Sequence, residues 1–152
     1  MASPSVAAVA VISADNTPRF IETYTDGNSD AALALHSACY SALDVVDERV
    51  AAARVRGSGS AAAIADCYLG ELLPLEEHVV HGYLTPTWVK IMLVVGDEVP
   101  LQPADARRIL GELHTAYARA AAAAPLGGDA FAPKGAFARA AREAVALAPR
   151  RA

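Results

Sequence analysis

Four histidines, two cysteines and a set of helix-spaced carboxylates are the side chains here with the clearest capacity for chemistry. His78 and His81 stand three residues apart. On a strand that spacing sends the two rings to opposite faces, so they do not converge on one metal. His36 and His114 fall in separate segments with no acidic ligand in local register. Zinc needs three or four converging ligands, and no metal site is expected. Cys39 and Cys67 are far apart and in no metal-like spacing, a usage that fits free thiols in a reducing compartment. Cys67 leads into an apolar stretch, where burial would raise its pKa and make it a core residue rather than a nucleophile. The chain has no glycine-rich phosphate loop, no G-x-S-x-G and no paired-carboxylate motif. No catalytic residue and no cofactor is therefore expected.

The elements that must position these residues follow from apolar periodicity. Val6, Val9, Val11 and Ile12 form a near-continuous apolar run, as in a strand covered on both faces. Asp15-Asn16-Thr17-Pro18 supplies turn chemistry, and residues 20–25 read as the second strand of a hairpin. Asp26-Gly27-Asn28 breaks it, and Ser29 or Asp30 starts a helix that runs to about residue 54, roughly seven turns. Its expected buried stripe is Leu35, Cys39, Leu43, Val46 and Val50. A flexible Gly/Ser connector occupies residues 56–60. Three strands follow at residues 66–73, 79–84 and 88–95, the last apolar enough to be central. Pro103 opens a helix whose inner face is Ile109, Leu110, Leu113, Ala116, Tyr117 and Ala120, and which Pro125 and Gly127-Gly128 stop. A last helix over residues 134–147 turns Phe137, Ala141, Ala144 and Ala148 inward. The order is ββαβββαα. Strand runs of two and three split by a long helix indicate an α+β sheet with helices on its faces.

Bulk properties narrow the function classes. A chain of 152 residues with 54 % hydrophobic and 20 % charged residues has the composition of one globular domain, expected to span 1–152. A net charge of −4 with no long basic run argues against nucleic acid as a partner. Arg139, Arg142, Arg150 and Arg151 read as a solvated helix end. Residues 5–14 are apolar but too short for a membrane span and lack signal-peptide flanks.

The long helix carries the most telling polar residues. With the stripe above turned inward, Val45 falls about opposite it, sharing an outer strip with Ala34, Ala38, Ser41 and Ala52. Asp44 and Glu48 border that strip at i, i+4 spacing. Such a smooth, small-residue surface lets a partner helix approach closely; the alternative is an ordinary solvent face of an alanine-rich chain. Asp47 lies nearer the core edge, placed to bond to backbone or anchor the helix on the sheet. Trp88 and Tyr83 flank the last hairpin as core or rim aromatics, with an anchoring role in recognition as the other reading.

Several strings, in order, resemble the sedlin family of the trafficking protein particle (TRAPP) complex. They are His36-Ser37, then Ser41-Ala42-Leu43-Asp44-Val45-Val46-Asp47-Glu48, then Tyr68-Leu69-Gly70-Glu71-Leu72-Leu73-Pro74. Gly82-Tyr83-Leu84-Thr85, Val89-Lys90, Met92-Leu93-Val94-Val95, Leu113-His114, Tyr117 and Ala136-Phe137 complete the set. Together they cover roughly residues 6–145. Two places depart from the family pattern: Ala124-Pro125-Leu126, where an Asn-Pro-Phe-Tyr-like turn is usual, and the glycine- and serine-rich loop at residues 56–61. The resemblance implies a longin-like fold, a five-stranded antiparallel sheet with one long helix on one face and two on the other. It implies a non-catalytic subunit of the TRAPP vesicle-tethering and Rab nucleotide-exchange complex, acting between endoplasmic reticulum and Golgi. The implied partners are neighbouring small core subunits and specialised subunits of the larger complex. Contact with a Rab GTPase and with Golgi or endoplasmic reticulum membranes would be indirect, from the cytoplasm. Ser41, Asp44, Val45, Asp47 and Glu48 are the expected partner-binding residues, Asp44 foremost.

Two other readings stay open at this level. One is a small-molecule sensor using His81, Tyr83 and Cys67, which are scattered rather than clustered. The other is a longin-type regulatory module of another trafficking machine, although no SNARE-like heptad follows residue 148.

Overall fold

Valine and alanine fill the first strand, β1 (Val6–Ile12), and leave it no polar face to turn to water. The computed structural model describes residues 6–24, 29–55, 67–98, 100–123, 131 and 135–146. In chain order β1 is followed by β2 (Pro18–Thr23), α1 (Ser29–Val55), β3 (Tyr68–Pro74), β4 (His78–Leu84), β5 (Lys90–Gly96), α2 (Pro103–Ala123) and α3 (Ala136–Ala146). The ββαβββαα order is the one expected. The connector at residues 56–60, the break at 26–28, the altered turn at 124–126, the helix stop at 127–128, Ala148, Arg150 and Arg151 lie outside the described residues.

The five strands form one antiparallel sheet in the order β2-β1-β5-β4-β3. β5 is central, and every position from Lys90 to Val95 is buried. Alternation along the strands splits the interior into two cores. Ile91, Leu93 and Val95 join Val9 and Val11 beneath α2 and α3, where Ile109, Leu110, Leu113 and Phe137 cover them. Met92 and Val94 join Ala8, Ala10 and Ile12 beneath α1, which contributes Leu35, Ala38, Cys39, Ala42, Leu43 and Val46. Alanine meets alanine on this side, so the long helix lies close to the sheet.

Both sheet edges are tied down by arginines. On the β3 edge Arg49 reaches from α1 to donate to the carbonyls of Leu69 and, at 2.7 Å, Glu71. The left-handed Gly70 (φ 83°) shifts the β3–β4 register there, a kink that blunts an exposed edge. On the β2 edge Arg142 of α3 donates to Glu22 at 2.8 Å. Gly82 answers a different need, because a Cβ there would sit 2.8 Å from Leu72 Cγ on the neighbouring strand.

The last strand begins at Lys90, two residues later than its apolar run suggests. The Thr85 hydroxyl accepts the Val89 N–H at 3.0 Å, and Trp88 N–H bonds to the Thr85 carbonyl at 2.9 Å, so the chain is still turning through Trp88.

α3 is short and alanine-rich, and its attachment depends on one aromatic. Phe137 is buried, packs edge-on against Phe20 of β2 with ring centres 4.8 Å apart, and touches Phe131 at 5.5 Å. Phe137→Ala is predicted to lower unfolding free energy by about 3–5 kcal/mol, the usual range for a buried phenylalanine. Urea denaturation followed by circular dichroism measures it; an unchanged midpoint would show that α3 is held by other contacts.

Candidate functional site

The chemistry-bearing side chains are distributed over both faces of the sheet. His81 is buried on the α2 side, with Nδ1 2.9 Å from the Tyr68 hydroxyl. Burial pushes the His81 pKa below its ordinary value, with Glu71 opposing weakly, so the ring is held neutral. His114 of α2 forms a second such pair, Nδ1 lying 3.2 Å from the Tyr83 hydroxyl. Arg107 lies over the Tyr68 ring at 5.4 Å. His78 lies on the other face of β4, beside Ala31, Ala34 and Leu35 of α1, as alternation requires. Among the described residues no three His, Cys, Asp or Glu side chains gather as a metal site.

Of the two cysteines, Cys39 takes the buried place expected of it and Cys67 does not. Cys39 is the fully buried thiol, on the inner face of α1, and desolvation pushes its pKa up to about 11. Cys67 is half-buried at the head of β3. Both are free. His81 and Tyr83 are each engaged in a pair of their own, with Tyr68 and His114 respectively.

α1 presents a different outer face from the one its large apolar residues suggest. Ala38 is buried and Val45, two turns further along nearly the same line, is half-buried against the α1-side core. The expected strip of Ala34, Ala38, Ser41, Val45 and Ala52 is therefore a flank, exposed at Ala34, Ser41 and Ala52 only. The physical reason is alanine: Ala38 and Ala42 join Ala8 and Ala10 in one core, so the buried arc of the helix is wider than its large apolar residues indicate. What points to solvent instead is the line Leu33, Ser37, Tyr40, Asp44, Asp47 and Glu48. Leu33 is 68 % exposed and Tyr40 46 %. Of the five residues assigned to partner binding, Ser41, Asp44, Asp47 and Glu48 are exposed and Val45 is not. Asp47 opens onto a cleft shared with Trp88 and Lys90. Leu33 and Tyr40 were the missed residues. Their signal was present as an apolar i, i+7 pair opposite the buried stripe, continued by Asp44 at i+11.

No helix among the described residues is long and apolar enough to cross a membrane. The arrangement, a five-stranded antiparallel sheet between one long helix and a helix pair, defines a longin-like α+β protein with a surface helix for its most distinctive exposed feature. The family model described as Sedlin matches residues 11–126, and the chain belongs to the sedlin family. A Bos taurus protein named trafficking protein particle complex subunit 2-like protein is 34 % identical over 113 residues, covering 72 % of this chain and 74 % of that one. A protein of the same name from Dictyostelium discoideum is 29 % identical over 113 residues, covering 74 % and 76 %. The Xenopus tropicalis protein of that name is 34 % identical over 72 % of this chain and 74 % of its own.

The neutral His81 makes stability depend on pH. The unfolded chain takes up a proton below about pH 6.5 where the folded ring resists it, so the fold is fully stabilised above that value and loses stability as pH falls through it. His81→Gln, which keeps an acceptor for Tyr68, is predicted to flatten the fall in melting temperature between about pH 7 and pH 5. Identical profiles for the two proteins would remove His81 as the cause.

Proposed function

We propose that this chain is a non-catalytic subunit of a TRAPP complex, built as one longin-like domain over residues 1–152 and docked through the outer face of α1. Its relatives carry the names of TRAPP subunits along most of their length. The observation that supports the docking surface is the exposure of Leu33 and Tyr40 in line with Asp44. Large apolar side chains held out on a helix, flanked by acids, suit a protein interface better than a reaction site.

The energetics divide between the two kinds of residue. Burying an exposed leucine completely is worth about 1.5–3 kcal/mol, and a tyrosine adds area at small entropic cost. Asp44, with Glu48 beyond it, sets orientation and selects a basic counterpart more than it adds affinity. Ser41 lies on the shoulder of this face; Val45 supports the helix from beneath.

In this role the chain helps to assemble or stabilise the complex, against neighbouring small core subunits and specialised subunits. The complex tethers vesicles and promotes nucleotide exchange on a Rab GTPase in transport between endoplasmic reticulum and Golgi. The chain would work in the cytoplasm and reach those membranes, and the Rab, through its neighbours.

Affinity co-purification from native cytosol tests the reading, comparing wild type with Asp44→Tyr and with the pair Leu33→Ser and Tyr40→Ser, each first shown to fold by circular dichroism. Wild type is predicted to recover TRAPP subunits and both variants to recover at least about tenfold less. Undiminished recovery by both variants would move the interface elsewhere on the chain. Recovery of no TRAPP subunit by wild type would overturn the assignment.

A further inference from the structure

Two hairpin turns meet beside the C-terminal half of α1. Ile12 pairs with Pro18 across one hairpin and with Lys90 on β5, which brings the β1–β2 turn against the β4–β5 turn. Between these turns and α1 lies a cleft of about 570 Å³ lined by Ala14, Asp47, Val50, Ala51, Trp88 and Lys90.

Lys90 is only 6 % exposed. Its ammonium carries three protons. One is donated to Asn16 Oδ1 at 2.6 Å and one to the Ala14 carbonyl at 3.3 Å. The third meets no acceptor among the described residues. Asp47 faces the same cleft from α1 without pairing with Lys90. Lys90 and Asp47 thus bring charges of opposite sign to one open cleft.

The backbone supplies an independent sign. Trp88 adopts a left-handed conformation, φ 68°, which a bulky side chain rarely tolerates. The Thr85 bonds described above hold it there. Strain of this kind concentrates at binding sites. Its result is that the chain's single tryptophan stands 39 % exposed on the rim of the cleft.

The walls specify their occupant. Lys90 calls for an acceptor and Asp47 for a donor, while Val50, Ala51 and Trp88 offer apolar contact. A carboxylate would suit Lys90 and be repelled by Asp47; a guanidinium or ammonium would suffer the reverse. A neutral amide satisfies both at once. We propose that the cleft receives a loop of a neighbouring protein subunit, inserted with an amide group whose carbonyl accepts from Lys90 and whose N–H donates to Asp47, beneath Trp88. This proposal rests on the subunit role above and names where a second contact falls.

The single tryptophan provides the probe. The chain is labelled with 5-fluorotryptophan and mixed with unlabelled, separately purified TRAPP subunits that co-purify with wild type. Complex formation is followed by gel filtration, and the one fluorine resonance is read in H2O and D2O. The expected result is a shifted resonance and a reduced solvent isotope effect in the complex. Asp47→Leu at an exposed position and Lys90→Met, both checked for folding by thermal melting, are each expected to weaken binding about tenfold or more. A complex that forms while the resonance and its isotope effect stay unchanged, and in which Asp47→Leu binds as wild type, overturns the cleft and leaves the subunit role standing. If no TRAPP subunit binds the labelled wild-type chain, the subunit role fails first and the cleft proposal falls with it.

Discussion

The burial of β5 on both faces is the constraint from which the rest of the fold follows. A strand whose side chains from Lys90 to Val95 are all hidden needs neighbours on both edges and cover on both faces. β1 and β4 supply the edges, with β2 and β3 outside them. Cover comes from α1 on one side and from α2 with α3 on the other. α1 does its half alone, which explains both its 27-residue length and its alanines: a single helix covers a sheet best when it runs the full width and sits close. The opposite half is shared, so α3 can be brief and rely on Phe137.

That division also decides where function has room. The helix pair uses its apolar residues on the sheet and on itself, while a solitary helix with one face buried must leave the other exposed. Several interior polar groups are already committed, although Glu22 Oε2 and the Tyr24 hydroxyl are buried without a hydrogen-bond partner among the described residues. His81 and His114 each bond to a tyrosine, and Arg49 and Arg142 fasten the two sheet edges. At the margin of α1, Lys90 and Asp47 bring charges of opposite sign to one open cleft.

Element order and sheet content were legible in the sequence because they depend on long apolar runs. β1 and β5 announced themselves as covered strands, and the i, i+3 separation of His78 and His81 correctly put them on opposite faces. The rotation of α1 about its axis was not legible, because alanine is ambiguous. Ala34 is exposed while Ala38 and Ala42 are buried, a difference set by the sheet residues beneath the helix and not by the alanines themselves. Ranking positions by large apolar residues alone set Val45 outward and passed over Leu33 and Tyr40. Cys67 departs from expectation for a related reason: burial of a thiol depends on which element covers it, not on its immediate neighbours. The cleft was illegible because its parts come from residues 14, 47, 88 and 90, joined only by pairing of β1 with β5 and packing of α1.

The features of α1 are graded along its length, and the grading constrains any partner. Leu33 and Tyr40 lie in its first half, Asp44, Asp47 and Glu48 in its second, and the cleft opens beside that acidic end. In the proposed interface a partner that covered only the apolar half would gain area with little to fix its direction, because apolar contact is not directional. One that touched only the acidic half would gain direction with little affinity, because exposed ion pairs are weak and screened by salt. Engagement along the whole helix gives both, and places the amide-accepting cleft at the end where register is already fixed by charge. Lys90 strengthens that end mechanically. Its bonds to Ala14 and Asn16 join the two hairpin turns, so the wall a partner loop would meet is anchored to the central strand of the sheet rather than to a free loop.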